Sequence, residues 1–98
     1  MERKYKRSLI YTQCGKIIEE ELTYEKFLST IDYEHCFVYK DKTIDIAFHY
    51  EGSKQIWELN INSDTYKEYL TFNSPQELIE NARIDGKSIR EIWDELEN

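Results

Sequence analysis

The sequence predicts an α+β domain: a three- to four-stranded antiparallel β-meander with a short N-terminal helix and two C-terminal helices packed on one face. Three observations carry this. Residues 43–51 and 56–62 alternate apolar and polar side chains with a period of two, as half-buried strands do. Residues 24–31 and 89–96 place apolar side chains at i, i+3, i+4 and i+7, the spacing of one helix face. The links between the strand-like runs are short, which favours antiparallel neighbours.

The first 22 residues are the least determined. Leu9, Ile10 and Tyr11, then Ile17 and Ile18, flank Gln13-Cys14-Gly15, the pattern of a hairpin or an extended arm. The same residues also fit a helix, with Tyr5, Leu9 or Ile10, Cys14 and Ile18 near one face. Gly15 inside such a helix would cost about 1 kcal/mol relative to Ala, so extended structure is preferred. A short helix follows. Thr23 can cap it, Glu25 suits the positive end of its dipole, and Tyr24, Phe27, Leu28 and Ile31 form its apolar face.

The meander begins with a β-rich run over residues 36–40 and a turn at Asp41-Lys42. In the next strand Ile44, Ile46, Phe48 and Tyr50 point inward. In the one after, Trp57, Leu59 and Ile61 do so. Residues 66–72 make the last strand. Ser74-Pro75-Gln76-Glu77 then reads as a capping box with Pro at the first helical position, opening a helix to about Ala82 or Arg83. Asp85-Gly86 breaks it, and Ser88-Ile89-Arg90-Glu91 is a second box. Ile89, Ile92, Trp93 and Leu96 would close the core.

The chain has 98 residues, the size of one domain spanning residues 1–98. Its net charge is −7, which argues against a general grip on DNA, RNA or anionic lipid. The basic start, with Arg3, Lys4, Lys6 and Arg7 against Glu2, is too short and mixed to act as a nucleic-acid arm. No apolar stretch approaches the ~20 residues of a membrane span, so a cytoplasmic location is the default expectation. Cys14 and Cys36 make no disulfide framework and read as free thiols.

The segment FNSPQELIENARIDGKSIREIWDELEN, residues 72–98, resembles the ending of a group of small bacterial and phage-type proteins. In these, a Phe-Asn/Asp-Ser-Pro-Glu-Glu-Leu-like start leads through Ile-Asp-Gly-Lys-Ser to a final Glu-Ile-Trp-Asp-Glu stretch. The resemblance covers about a quarter of the chain. The group has no assigned activity, so it implies a bacterial or mobile-element setting and no catalytic residues.

Reactive chemistry finds little support. His35, Cys36, His49 and Cys14 lack the spacing of a metal site, and no metal or cofactor is expected. Cys36 with His49 on a neighbouring strand is the one nucleophile–base pairing on offer, and a buried thiol beside a solvent-facing histidine explains it as well. Gly86-Lys87-Ser88 lacks the upstream glycine of a phosphate loop. The expectation is therefore a non-catalytic protein-interaction or accessory module. Its surface would comprise Glu77, Glu80, Glu91, Asp94 and Glu95 on the helices, with Tyr66 and Tyr69 from a surplus of eight tyrosines. Its partner would be an unidentified protein, or a second copy joined through an unpaired sheet edge. The alternative is an acidic, nucleic-acid-mimicking inhibitor or immunity-type protein.

Overall fold

The computed structural model describes residues 6–98, so Arg3 and Lys4 of the basic start lie outside the described residues. Strands β1 (Ser8–Gln13) and β2 (Lys16–Glu21) form a two-stranded hairpin. Helix α1 (Tyr24–Ser29) follows, then β3 (His35–Tyr39), β4 (Lys42–Glu51), β5 (Lys54–Asn62) and β6 (Lys67–Phe72), which pair consecutively as a four-stranded antiparallel sheet. Helices α2 (Pro75–Asn81) and α3 (Ile89–Ile92) come last, and a 3-10 turn at Trp93–Glu95 continues α3.

The fold class differs from the expected α+β arrangement. Six strands in two antiparallel sheets make the described residues mostly β, the three helices among them are short, and the first elements described are strands rather than a helix. The turn chemistry explains the opening. Cys14 and Gly15 both take positive φ, 52° and 80°, the conformation of a two-residue hairpin turn that no right-handed helix passes through. The C-terminal helices are curtailed for related reasons. Asp85 and Gly86 also take positive φ, 54° and 77°, and close a tight turn in which Ile84 and Lys87 exchange backbone hydrogen bonds of 2.8 and 3.0 Å. Asp-Gly here builds a small hairpin rather than merely ending a helix. The change to a 3-10 turn after Ile92 seats Trp93 beside Tyr24, Phe27 and Phe37, at centroid distances of 5.4, 5.1 and 5.5 Å.

The two caps also differ. At α3 the box is complete: Glu91 N–H donates to Ser88 Oγ (3.2 Å), and Ser88 N–H donates to Glu91 Oε1 (2.9 Å). At α2 only Glu77 N–H donates to Ser74 Oγ (3.0 Å), a single cap rather than the box expected there. Ser88→Ala should lower stability by about 1 kcal/mol, read as a shift of the urea midpoint at constant slope.

The register aligns a largely apolar face across the four-stranded sheet, with His35 at one edge and Glu68 at the other. Phe37 faces Ile44, Ile44 faces Ile61, Ile46 faces Leu59, Phe48 faces Trp57, and Leu59 faces Leu70. Onto this face pack Leu22, Phe27, Leu78, Ala82, Ile84, Ile89, Ile92, Trp93 and Leu96, all buried. Tyr50, expected inward, is exposed instead because β4 runs past this cover.

The hairpin is tied to the body by Arg7, the buried charged residue of the described core. Its guanidinium donates from Nε to the Leu22 carbonyl (3.4 Å) and from Nη1 to the Leu96 carbonyl (3.3 Å), and lies 5.0 Å from the centroid of a Trp93 ring. Leu22 N–H bonds the Arg7 carbonyl (2.8 Å), extending the β1–β2 ladder by one pair.

Candidate functional site

Alternation gives the four-stranded sheet a second face, away from the helices. Cys36, Asp45, Asn60 and Tyr69 lie in one row across it, and Ala47, Glu58 and Thr71 in the next. His49 sits diagonal to Glu58, and its Nδ1 bonds Glu58 Oε2 at 2.7 Å. This imidazole is the main reason the Glu58 carboxyl titrates below the ordinary glutamate range, and the Tyr69 hydroxyl adds to it. The same contact pushes Tyr69 upward. His49, Ile56, Tyr69 and Thr71 edge a concavity of about 420 Å³.

A carboxyl whose folded value is depressed stabilises the fold above the ordinary glutamate value and loses that contribution as pH falls through the depressed one. The stability difference between the wild type and Glu58→Gln should therefore be largest above pH ~4.3, shrink below it, and vanish once the pH has fallen through the depressed folded value. Urea midpoints of both proteins between pH 3 and 7 check this.

This patch does not make a nucleophile. Cys36 and His49 share the open face, but Cys36 pairs with Asp45, and His49 lies four residues further along β4, about 13 Å at strand rise. The Asp45 carboxylate, with partial burial, pushes the Cys36 thiol up to about 11. The thiol stays protonated near neutrality, and its neighbour is a carboxylate that disfavours the thiolate rather than an imidazole that would activate it. His35 points to the other face. Its Nε2 donates to the Thr30 carbonyl (2.8 Å) and its ring packs edge-on to Phe27, a structural role. Among the described residues, no three His, Cys, Asp or Glu side chains come together as a metal would require.

The expected interaction residues are carried by several elements. Glu77 and Glu80 lie on α2, whereas Glu91 lies on α3 and Asp94 and Glu95 on the turn after it. Tyr69 projects from the opposite face of the sheet, and Tyr66 precedes β6. Two of the acids are already engaged: the Glu91 carboxylate in the α3 cap, which lowers its titration, and Glu80 with Gln76 Nε2 (3.1 Å). Among the described residues none of the five forms an ion pair.

The residues that sequence reasoning passed over are on the hairpin. Its register places Ile10 opposite Glu19 and Thr12 opposite Ile17, so Ile10 and Ile17 are diagonal neighbours on one face. They are 64% and 80% exposed, Ile17 being the barest large apolar side chain of the described residues. The other face carries Leu9, which packs on the core, with Tyr11 and Ile18. The available signal was apolar residues on both faces of a ribbon that can cover only one.

Among the described residues, no helix is long and apolar enough to cross a membrane. In comparisons with known proteins, the chain matches no family model, no curated protein and no solved structure.

Proposed function

We propose that this protein is a non-catalytic protein-interaction module of the cytoplasm, and that the β1–β2 hairpin is its principal binding element. One observation carries the reading: Ile10 and Ile17 lie bare and adjacent on a two-stranded ribbon. A ribbon of two strands is marginal alone, and adjacent exposed branched aliphatics on it gain by burial against a partner. The likeness of residues 72–98 to endings of small bacterial and phage-type proteins supports an accessory role on a mobile element.

The test compares quantitative protein capture from bacterial extract by three proteins of matched stability. Ile10→Thr/Ile17→Thr keeps β-branching and removes apolar surface. It should reduce the specifically captured partner at least ten-fold, about the 1.4 kcal/mol of one interface anchor. Neutralising Glu77, Glu80, Asp94 and Glu95 to their amides should leave capture unchanged. The reverse pattern would replace this reading with the acidic inhibitor. Light scattering run alongside tells a hetero-complex from a homodimer.

A further inference from the structure

In an antiparallel pair, residues alternate between those whose N–H and C=O bond across the ladder and those whose backbone groups face away. The Leu22–Arg7 hydrogen bond fixes this phase for the hairpin: Ser8, Ile10 and Thr12 turn their backbone groups away from β2. The two-residue turn between Tyr39 and Lys42 fixes it for β3, where Cys36 and Val38 turn away from β4. Strand β3 is the edge of its sheet. Two open strand edges thus border one groove of about 520 Å³, lined by Leu9 and Ile10 on one side, Cys36 and Phe37 on the other, and Leu22.

One end of this groove already holds a strand. Glu97 exchanges backbone hydrogen bonds with Val38, its own N–H donating at 2.9 Å. Asn98 N–H donates to the Lys6 carbonyl (3.3 Å). The Asn98 side-chain amide accepts from Ser8 N–H (2.9 Å) and donates to the Ser8 carbonyl (2.7 Å), imitating a peptide group. This two-residue segment lies between the two edges, with Glu97 bonding β3 through its backbone and Asn98 reaching Lys6 through its backbone and Ser8 through its side chain, so one extended chain fits between them at this end. Glu97 and Asn98 run antiparallel to β3, so the groove continues their line toward Cys36 and Ile10.

We propose that this groove is a strand-addition site that takes an extended segment of a partner polypeptide, antiparallel to β3 and parallel to β1. The proposal rests on the interaction-module reading and supplies its recognition chemistry: main-chain hydrogen bonds to Cys36 and Ile10, with alternate side chains meeting the Leu9, Leu22 and Phe37 wall. A guest must be free on both edges. Every strand in the described residues already has a ladder neighbour, so the occupant is an unpaired segment of another protein rather than a folded strand of a second copy.

The test uses the full chain to select from a displayed library of random decapeptides, followed by synthesis of the enriched peptides. Proline-free sequences with period-two apolar residues should emerge. Methylating the backbone nitrogen of either of two neighbouring central residues should weaken binding at least ten-fold, because one amide faces β3 and the next faces β1. Hydrogen exchange at the Cys36 and Ile10 amides of the wild type should slow on binding. Cys36→Pro removes the groove-facing N–H without breaking a β3–β4 hydrogen bond, and should abolish binding. If that variant misfolds, the exchange measurement on the wild type stands alone.

Failure of any peptide to enrich overturns the proposal. So does a bound peptide that tolerates N-methylation and leaves both amides exchanging as before. A wild-type dimer that Cys36→Pro turns into monomer gives the groove to a second copy, which also overturns it. The two readings fail separately, because Ile17 lies outside the groove lining. Loss of capture in Ile17→Thr without amide protection removes only the groove, and peptide binding with capture unaffected by Ile17→Thr removes only the hairpin.

Discussion

Phe27→Ala is expected to lower the unfolding free energy by about 3–5 kcal/mol, a large share of the ~5–15 kcal/mol that holds a domain folded. Phe27 is fully buried, and four aromatic rings surround it: Phe37, Trp93, His35 and Tyr24, at centroid distances of 5.7, 5.1, 5.0 and 6.0 Å. Those rings belong to α1, β3 and the turn after α3, so the cavity would open where three elements meet. His35 and Phe37 meet Phe27 edge-to-face and Tyr24 and Trp93 are tilted against it; rigid rings so placed cannot collapse into a hole as aliphatic chains do, which places the cost toward the upper end. The adjacent Leu28 is 40% exposed, and its alanine variant should change stability by less than about 1 kcal/mol. Thermal melts resolve the contrast, since each kcal/mol moves the midpoint by roughly 4–8 °C in a domain of this size.

Arg7→Ala should cost about 2–4 kcal/mol and act more locally. It leaves the Leu22 and Leu96 carbonyls without their charged donor and strips the guanidinium from the Trp93 ring. Arg7→Lys should recover only part of the loss, because a single ammonium cannot reproduce the planar fork that serves two carbonyls and an aromatic face. The distinguishing measurement is amide exchange along β1 and β2. Their ladder should lose protection in Arg7→Ala while β4 and β5 keep theirs. Equal loss of protection across both sheets would mean that Arg7 holds the whole core and not the hairpin.

The sheet interior was legible because its code is local. Period-two alternation in β4 and β5 survives in the register, and Ser88 caps its helix with the partner its spacing implies. What escaped depends on contacts distant in sequence. Arg7 sits in a basic start that reads as wet, and the Leu22 carbonyl together with Trp93 and the Leu96 carbonyl, the latter two some ninety residues on, make it a core residue. The helix-like spacing of residues 89–96 was real, yet the demand for Trp93 among aromatic rings cut the helix to four residues. The phase of the first strands was readable only through their turn, since Cys14 is an unusual residue for the positive φ it takes. For the site, the helix acids are conspicuous in the sequence, whereas the two bare isoleucines, diagonal neighbours across a hairpin, carry no polar signature.

The clasp that joins residues 6–8 to residues 96–98 also dictates the order of assembly. Its hydrogen bonds link positions 89 to 92 apart in sequence, so they cannot form until the intervening chain has been brought to nearly its final arrangement. Contacts of such long sequence separation carry the largest closure entropy and are rewarded last. The meander can zip through its own short turns, and the ribbon then docks as a late step. The groove between β1 and β3 exists only after that step, so a nascent or partly unfolded chain would present no place for a guest strand.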